Sequence, residues 1–187
     1  YGGANEERRV DKKMYYDWPK TIELVRSLQP QAVIFSDAGP DIRWVGNEKG
    51  YANETTWSPI YRDSVFAGMP DFQRFASGQE NGTHWVPTET DVSIRPGWYY
   101  HPEQDDQVKS LSKLVDIYYN SVGLNSSLLL NLPVDNRGLI HENEVKNLKA
   151  LADYLNTTFS YNYSKGQKVK TSSTLKGYDN KALIDDN

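Results

Sequence analysis

QVKSLSKLVDIYYNSVGLNSSLLLNLPVDNRGLIHENEVKNLKALADYLN, residues 107 to 156, carries the pattern that decides the fold. Val108, Leu111, Leu114, Val115, Tyr118 and Val122 share one helical face, and Gly123 stands where a C-cap is expected. SSLLLNLP (126–133) follows, nearly continuously apolar, as a strand buried on both faces would be. Asp135-Asn136-Arg137-Gly138 is turn chemistry. Val145, Leu148, Leu151, Ala152 and Leu155 then resume helical spacing, with Glu142 and Glu144 in the first turn, where the helix dipole favours carboxylates. Helix, strand, loop and helix in succession make an α/β unit.

The same alternation extends upstream. WPKTIELVRSLQP (18–30) places Ile22, Val25 and Leu28 on one stripe, with Pro19 suited to a first turn and Pro30 to a stop. QAVIFSD (31–37) and TDVSIRP (90–96) read as further buried strands. Each strand runs straight into a polar loop: SDAGPDIRW, SIRPGWYYH and NLPVDNRG. Loops at strand C-termini are where (β/α) barrels place their active sites. A doubly wound open sheet would give a similar pattern. Lys49 to Glu89, with Trp57, Tyr61, Phe66, Phe72, Phe75 and Trp85, has no clean period and is expected to pack as an irregular excursion over the barrel mouth. After Phe159 the chain turns polar, and short alternating pieces such as QKVKTSS read as a linker and the first strands of a β-rich module.

The 187 residues carry 25 % charged and 37 % hydrophobic side chains, with a net charge of −4. Those values suit a globular protein and give no global basic surface for nucleic acid or anionic membrane. The apolar runs are too short to span a bilayer, and the opening YGGANEERRV does not read as a signal peptide. Cysteine is absent, so disulfides and thiol catalysis are excluded. Aromatic residues reach 12 %, which suits sugar stacking and equally suits a Tyr-rich core. Asn53, Asn81, Asn125, Asn156 and Asn162 begin Asn-X-Ser/Thr triplets, a pattern that chance also supplies in such a chain.

Among the loops, GPDIRWVGNEKG (39–50) concentrates the chemistry. Glycines around Glu48 leave room for a ligand, Trp44 offers an apolar wall and Arg43 a fixed charge. A carboxyl so placed suits the general acid of glycoside hydrolysis; a surface turn glutamate is the bland reading of the same residues. Glu54 is a rival, while Glu89 and Asp91 read as strand residues of structural use. RPGWYYH (95–101) gathers Arg95, Trp98, Tyr99, Tyr100 and His101, either as a binding platform or as an aromatic plug. No second histidine stands at metal-ligand spacing from His101, so no metal is expected. No GxSxG, phosphate-binding or dinucleotide fingerprint occurs.

GPDIRWVGNE, DVSIRPGWYYH and SVGLNSSLLLNLPVDNRGLIHENEV, in this order, resemble the C-terminal half of the catalytic domain of family 29 glycoside hydrolases, the α-L-fucosidases. The wording RWVGNE resembles the branch acting on α1,3- and α1,4-linked fucose. The resemblance implies that residues 1–158 form the C-terminal part of a (β/α)8-like barrel. It implies that residues 159–187 are a linker and the start of a discoidin-like carbohydrate-binding β-sandwich. It also implies a retaining, exo-acting, secreted or periplasmic enzyme without cofactor or metal, acting on fucosylated oligosaccharides or glycoconjugates. Glu48 matches the acid/base, and Arg43, Trp44, Trp57, Arg95, Trp98 and His101 are candidate substrate-binding residues. The family's nucleophilic Asp lies in a Trp-Phe-Asp-Gly type sequence that this chain lacks, and is expected just upstream of Tyr1. The chain then reads as a fragment that lacks the N-terminal half of the barrel and is inactive by itself. A non-catalytic carbohydrate-binding descendant is the competing class, and a ligand-free α/β domain a third.

Overall fold

The computed structural model describes residues 17–36, 39–62 and 76–184. Helix α1 spans Trp18–Leu28; the Asp17 carboxylate accepts from the Lys20 N–H at its start, and Pro19 sits in its first turn. Helix α2 spans Leu111–Ser121 and is capped by the Ser110 hydroxyl, which accepts from the Lys113 N–H. A separate 3₁₀ turn, Pro102–Gln107, precedes it. The expected stop at Gly123 is corrected: a 3₁₀ turn carries the chain over Val122–Leu124, and Asn125 takes the left-handed conformation at φ 63°. Asparagine tolerates that region because its short amide can bond locally, and here it donates to the Thr56 carbonyl at 2.8 Å. Helix α3 spans Glu142–Thr158.

Among the described residues six strands connect these helices: β1 (Phe35–Ser36), β2 (Ile42–Trp44), β3 (Pro59–Ile60), β4 (His84–Trp85), β5 (Thr88–Ser93) and β6 (Ser126–Asn131). β1, β2, β5 and β6 form one sheet in that order, every neighbouring pair parallel. β3 and β4 pair antiparallel in a ribbon of their own. IRW, expected to lie in a loop, is instead the short strand β2. It is anchored by Asp41, whose carboxylate accepts from the Ile34 N–H at 2.7 Å and from Arg26 Nη2 at 2.5 Å, tying the turn to β1 and α1.

Strand alternation gives this sheet two unlike faces. Thr88, Thr90 and Val92 lie on one, buried. There Ile94, Leu114 and Leu151 form the core, with Leu130, Leu132 and Leu155 packed against them. The opposite face carries Phe35, Ile42, Trp44, Glu89, Asp91 and Leu129, paired across strands by register. Phe35 and Leu129 are exposed on it. The expectation that these strands are buried on both faces is therefore corrected for the described residues: α2 and α3 cover one side of the sheet.

The excursion between β2 and β5 is also placed differently from the expectation. Arg43, on the covered face, donates from its buried guanidinium to the carbonyls of Val86, Trp57 (2.5 Å), Ser58 and Ala76 (both 3.3 Å). These bonds clamp the described part of the excursion on the helix side of β2, rather than over the strand ends. Phe66, Phe72 and Phe75 lie outside the described residues. Beyond α3 the chain runs through turns to a 3₁₀ turn at Asn180–Leu183. The QKVKTSS piece has no ladder partner among the described residues, and a strand needs a neighbour to exchange hydrogen bonds.

The turn at 135–138 is as read. Gly138 takes φ +76° and donates its N–H to the Asp135 carbonyl at 2.9 Å. The Arg137 side chain holds the Asp135 carboxyl down at about 2, helped by the backbone N–H groups of Arg137 and Leu139. A carboxyl whose folded value is depressed stabilises the fold above its unfolded value of 3.8 and loses that contribution as pH falls towards 2. Asp135→Asn is accordingly expected to lower the thermal midpoint of the full-length protein at pH 7. The gap from wild type should close between about pH 4 and pH 2 in a pH-resolved melting series.

Candidate active site

The loops after β2 and β5 meet where a tryptophan of one bonds a glutamate of the other. Trp98 Nε1 donates to Glu48 Oε2 at 3.0 Å, across 50 positions of sequence. Local folding explains how each partner arrives. After β2 the chain turns at Gly46 (φ +95°) and again at Gly50 (φ +77°). A Cβ on Gly50 would stand 2.9 Å from Val92 Cγ1 and 3.0 Å from Ile117 Cγ2, so the chain dives into the core two residues after Glu48 and only glycine fits. The Gly50 N–H donates to the Asp91 carbonyl at 3.1 Å. Within the loop, the Asn47 carboxamide accepts from the Lys49 N–H and donates to the Tyr51 carbonyl, both at 3.0 Å. Glu48 is thus held at the crest of a braced turn and projects outward.

Beneath it lies a second carboxylate. Asp91 projects from β5 on the less covered face, and its Oδ1 accepts from Trp44 Nε1 at 2.6 Å. Burial pushes the Asp91 carboxyl above its usual range; the Glu48 charge adds to that rise and the Trp44 N–H opposes it. Each of two indoles therefore serves one of two neighbouring carboxylates. The expected shielding of Glu48 is corrected to this extent: Glu48 is exposed, it accepts from Trp98, and the Trp44 N–H donates to Asp91.

The other candidates fall elsewhere. Arg43 is buried among backbone carbonyls on the opposite face from Trp44. Arg95 is buried too. Its Nε donates to Glu144, its Nη2 to Asp105 Oδ1 at 2.9 Å and its Nη1 to the His101 carbonyl at 3.2 Å, with its guanidinium 4.7 Å from the Tyr100 ring centroid. Both arginines serve the scaffold beneath the loops. His101 is exposed at the start of the 3₁₀ turn, and Trp57 and Glu54 are exposed in the excursion. The structure thus brings Glu48, Trp98, Trp44 and Asp91 together at the ends of β2 and β5. The alternation in TDVS puts Asp91 on the face opposite Val92, where the Trp44 N–H ties it to β2. Among the described residues, no group of three or more His, Asp or Glu is placed to hold a metal ion. No described helix is long and apolar enough to cross a membrane.

Residues 3–159 match the family described as Alpha-L-fucosidase. The chain is 44% identical over 172 residues to "Alpha-L-fucosidase 1" of Arabidopsis thaliana, covering 91% of this chain and 33% of that protein. Among solved structures it superposes on a glycoside hydrolase 29 family member from an unknown rumen bacterium with a TM-score of 0.81 and 43% identity, covering 92% of this chain and 31% of that one. A Ruminococcus gnavus GH29 fucosidase in complex with fucose superposes with a TM-score of 0.68 and 30% identity, covering 89% of this chain and 33% of that one. The chain spans about a third of the length of these relatives. The matched region stops at residue 159, one residue after α3 ends. With its parallel sheet, its helix-covered face and its strand-end loops all inside that region, the chain belongs to the α-L-fucosidase family, glycoside hydrolase family 29.

Proposed function

We propose that this chain supplies the acid/base side of a retaining, exo-acting α-L-fucosidase that removes α1,3- or α1,4-linked fucose from oligosaccharides or glycoconjugates. The carrying observation is the bond from Trp98 to Glu48, which joins two strand-end loops around an outward carboxylate. In this reading the four parallel strands are half of a (β/α)8-like barrel. The face bearing Phe35, Trp44, Asp91 and Leu129 is its inner lining, closed by a first half that the longer relatives also have room for. Residues 159–187 are the linker and the beginning of a carbohydrate-binding β-sandwich, in keeping with their polar, alternating sequence and with the family match ending at 159.

The chemistry follows from a glycosidic bond flanked by two carboxyl groups. A carboxylate attacks C1 of fucose. The C1–oxygen bond to the leaving group breaks as Glu48 passes its proton to that oxygen. A covalent fucosyl-enzyme results, through a transition state with oxocarbenium character. Glu48, now ionised, takes a proton from water as the water attacks C1 and frees the nucleophile. Retention of configuration requires the two carboxyl groups about 5–5.5 Å apart. Residues that hold Glu48 at one fixed point of the rim therefore bear directly on rate.

The full-length protein, assayed on α1,2-, α1,3-, α1,4- and α1,6-linked fucosyl oligosaccharides, is expected to release fucose from the α1,3 and α1,4 members. Binding of those sugars without release would instead identify a lectin-like descendant. Release confined to α1,2 or α1,6 linkages would reject the linkage assignment and keep the enzyme.

A further inference from the structure

We propose that Trp98, held in place by Ser93 and Asn131, is a positioning residue that assigns the two oxygens of Glu48 different jobs, with the transferable proton on Oε1. The proposal rests on the reading of Glu48 as the acid/base. Trp98 entered as a candidate sugar-stacking ring, and the geometry gives its N–H a different task. Ser93 and Asn131 are the last residues of β5 and β6, opposite each other in register. Asn131 Nδ2 donates to Ser93 Oγ at 3.1 Å and to the Trp98 carbonyl at 3.0 Å. Ser93 Oγ donates to the Gly97 carbonyl at 2.7 Å. Two adjacent carbonyls of the loop are therefore pinned by two strand-end side chains, and the indole projects from the pinned segment onto Glu48 Oε2. A helix-packed sheet, rather than a free loop, sets where that N–H points.

The consequence for Glu48 is specific. An indole nitrogen is a donor only. In a neutral carboxylic acid the carbonyl oxygen is the better acceptor. An N–H fixed on Oε2 therefore favours the form in which Oε2 is the carbonyl and Oε1 carries the proton. After transfer the ionised carboxylate keeps Oε2 on the indole, and Oε1 is again the free atom that receives a proton from water. The same oxygen gives and takes, with no rotation of the carboxyl between the two half-reactions. Misplacement of a catalytic group by about 1 Å costs on the order of a hundredfold, so a lost pin is visible in rate.

The test uses the full-length protein and a series of aryl α-L-fucosides of rising leaving-group basicity, from 2,4-dinitrophenyl to phenyl. Glu48→Gln, Trp98→Phe and Asn131→Leu are compared. Trp98→Phe keeps a ring for stacking and removes the donor; Asn131→Leu removes the pin without touching the rim. Each variant is scored by its phenyl kcat/KM relative to its own dinitrophenyl kcat/KM, a ratio that reports the bond-breaking first step alone and cancels any loss of folded protein. Trp98→Phe is expected to lower this ratio roughly ten- to a hundredfold, and Asn131→Leu in the same direction by less. A ratio unchanged in Trp98→Phe while Glu48→Gln lowers it strongly would overturn the positioning role. A ratio unchanged in Glu48→Gln itself would overturn the acid/base reading beneath it.

Discussion

Glu48→Gln in the full-length protein is expected to slow hydrolysis of a fucosylated oligosaccharide by roughly a hundred- to ten-thousand-fold. The amide keeps the size of the side chain and still accepts from Trp98 Nε1, so the loop geometry survives. What disappears is the transferable proton. A sugar leaving group is a strong base and cannot depart without that proton, whereas an activated aryl oxide can. The loss on an aryl fucoside is therefore expected to be much smaller in the first step and to appear in the second, where Glu48 should activate water. Azide, which needs no deprotonation, is expected to restore turnover of the aryl substrate by attacking the fucosyl-enzyme. Glu54→Gln supplies the contrast: Glu54 is exposed six residues further along, in the excursion, and its variant should keep wild-type rates. The oligosaccharide-selective loss appearing in Glu54→Gln, with Glu48→Gln near wild type, would move the acid/base to residue 54.

Charge placement around Glu48 sharpens that contrast. Asp91 lies beneath it, its carboxyl pushed up by burial and by the Glu48 charge. A neighbouring negative charge makes ionisation of the buried Asp91 carboxyl costlier. The indoles of Trp44 and Trp98 each donate to one of the two carboxylates and orient them separately. A rim built this way combines an outward group free to meet a substrate with an inner group committed to the sheet.

Much of this architecture could be read directly from residue order. The helices of 18–28, 111–121 and 142–158 announce themselves by apolar spacing, by Pro19 and by the acidic first turn of α3. The turn at Asp135 is specified by its own side chain, which binds the backbone two and four residues on. β2 escaped notice because three residues between Gly-Pro-Asp and Val-Gly carry no period. Its identity comes from non-local pairing with Phe35–Ser36 on one side and Thr88–Glu89 on the other. The turn that carries Glu48 is legible because its glycines are local. The partner of Glu48 is not, since Trp98 lies 50 residues away and only the parallel register of β2 and β5 brings the two loops side by side. The arginines misled for a related reason. Arg43 and Arg95 sit beside site loops in sequence, but strand alternation sends Arg43 to the covered face, and a buried glutamate draws Arg95 inward.

That glutamate supports the largest expected effect on stability. Glu144, in the first turn of α3, and Arg95, just past β5, are both fully buried side chains joined through Arg95 Nε and Glu144 Oε1. The second Glu144 oxygen has no hydrogen-bond partner among the described residues, so the pairing with Arg95 is what compensates the charge. Arg95→Met would leave the Glu144 carboxyl in the core without its counter-charge and is expected to cost about 3–5 kcal/mol in the full-length protein, measured by urea unfolding. Glu144→Leu should cost less, because Arg95 retains Asp105, the His101 carbonyl and the face of Tyr100. The double variant, Arg95→Met with Glu144→Leu, removes both charges and replaces them with apolar volume. It is expected to recover most of the loss, since two well-packed apolar side chains are often no worse than a buried ion pair. The cycle also separates fold from site. Arg95 carries the RPGWYYH loop through its bond to the His101 carbonyl, so the double variant should regain stability while losing some oligosaccharide turnover. Full recovery of both would show that Ser93 and Asn131 alone fix Trp98. A double variant as unstable as Arg95→Met would show that the loss comes from packing around the guanidinium and not from an unpaired charge.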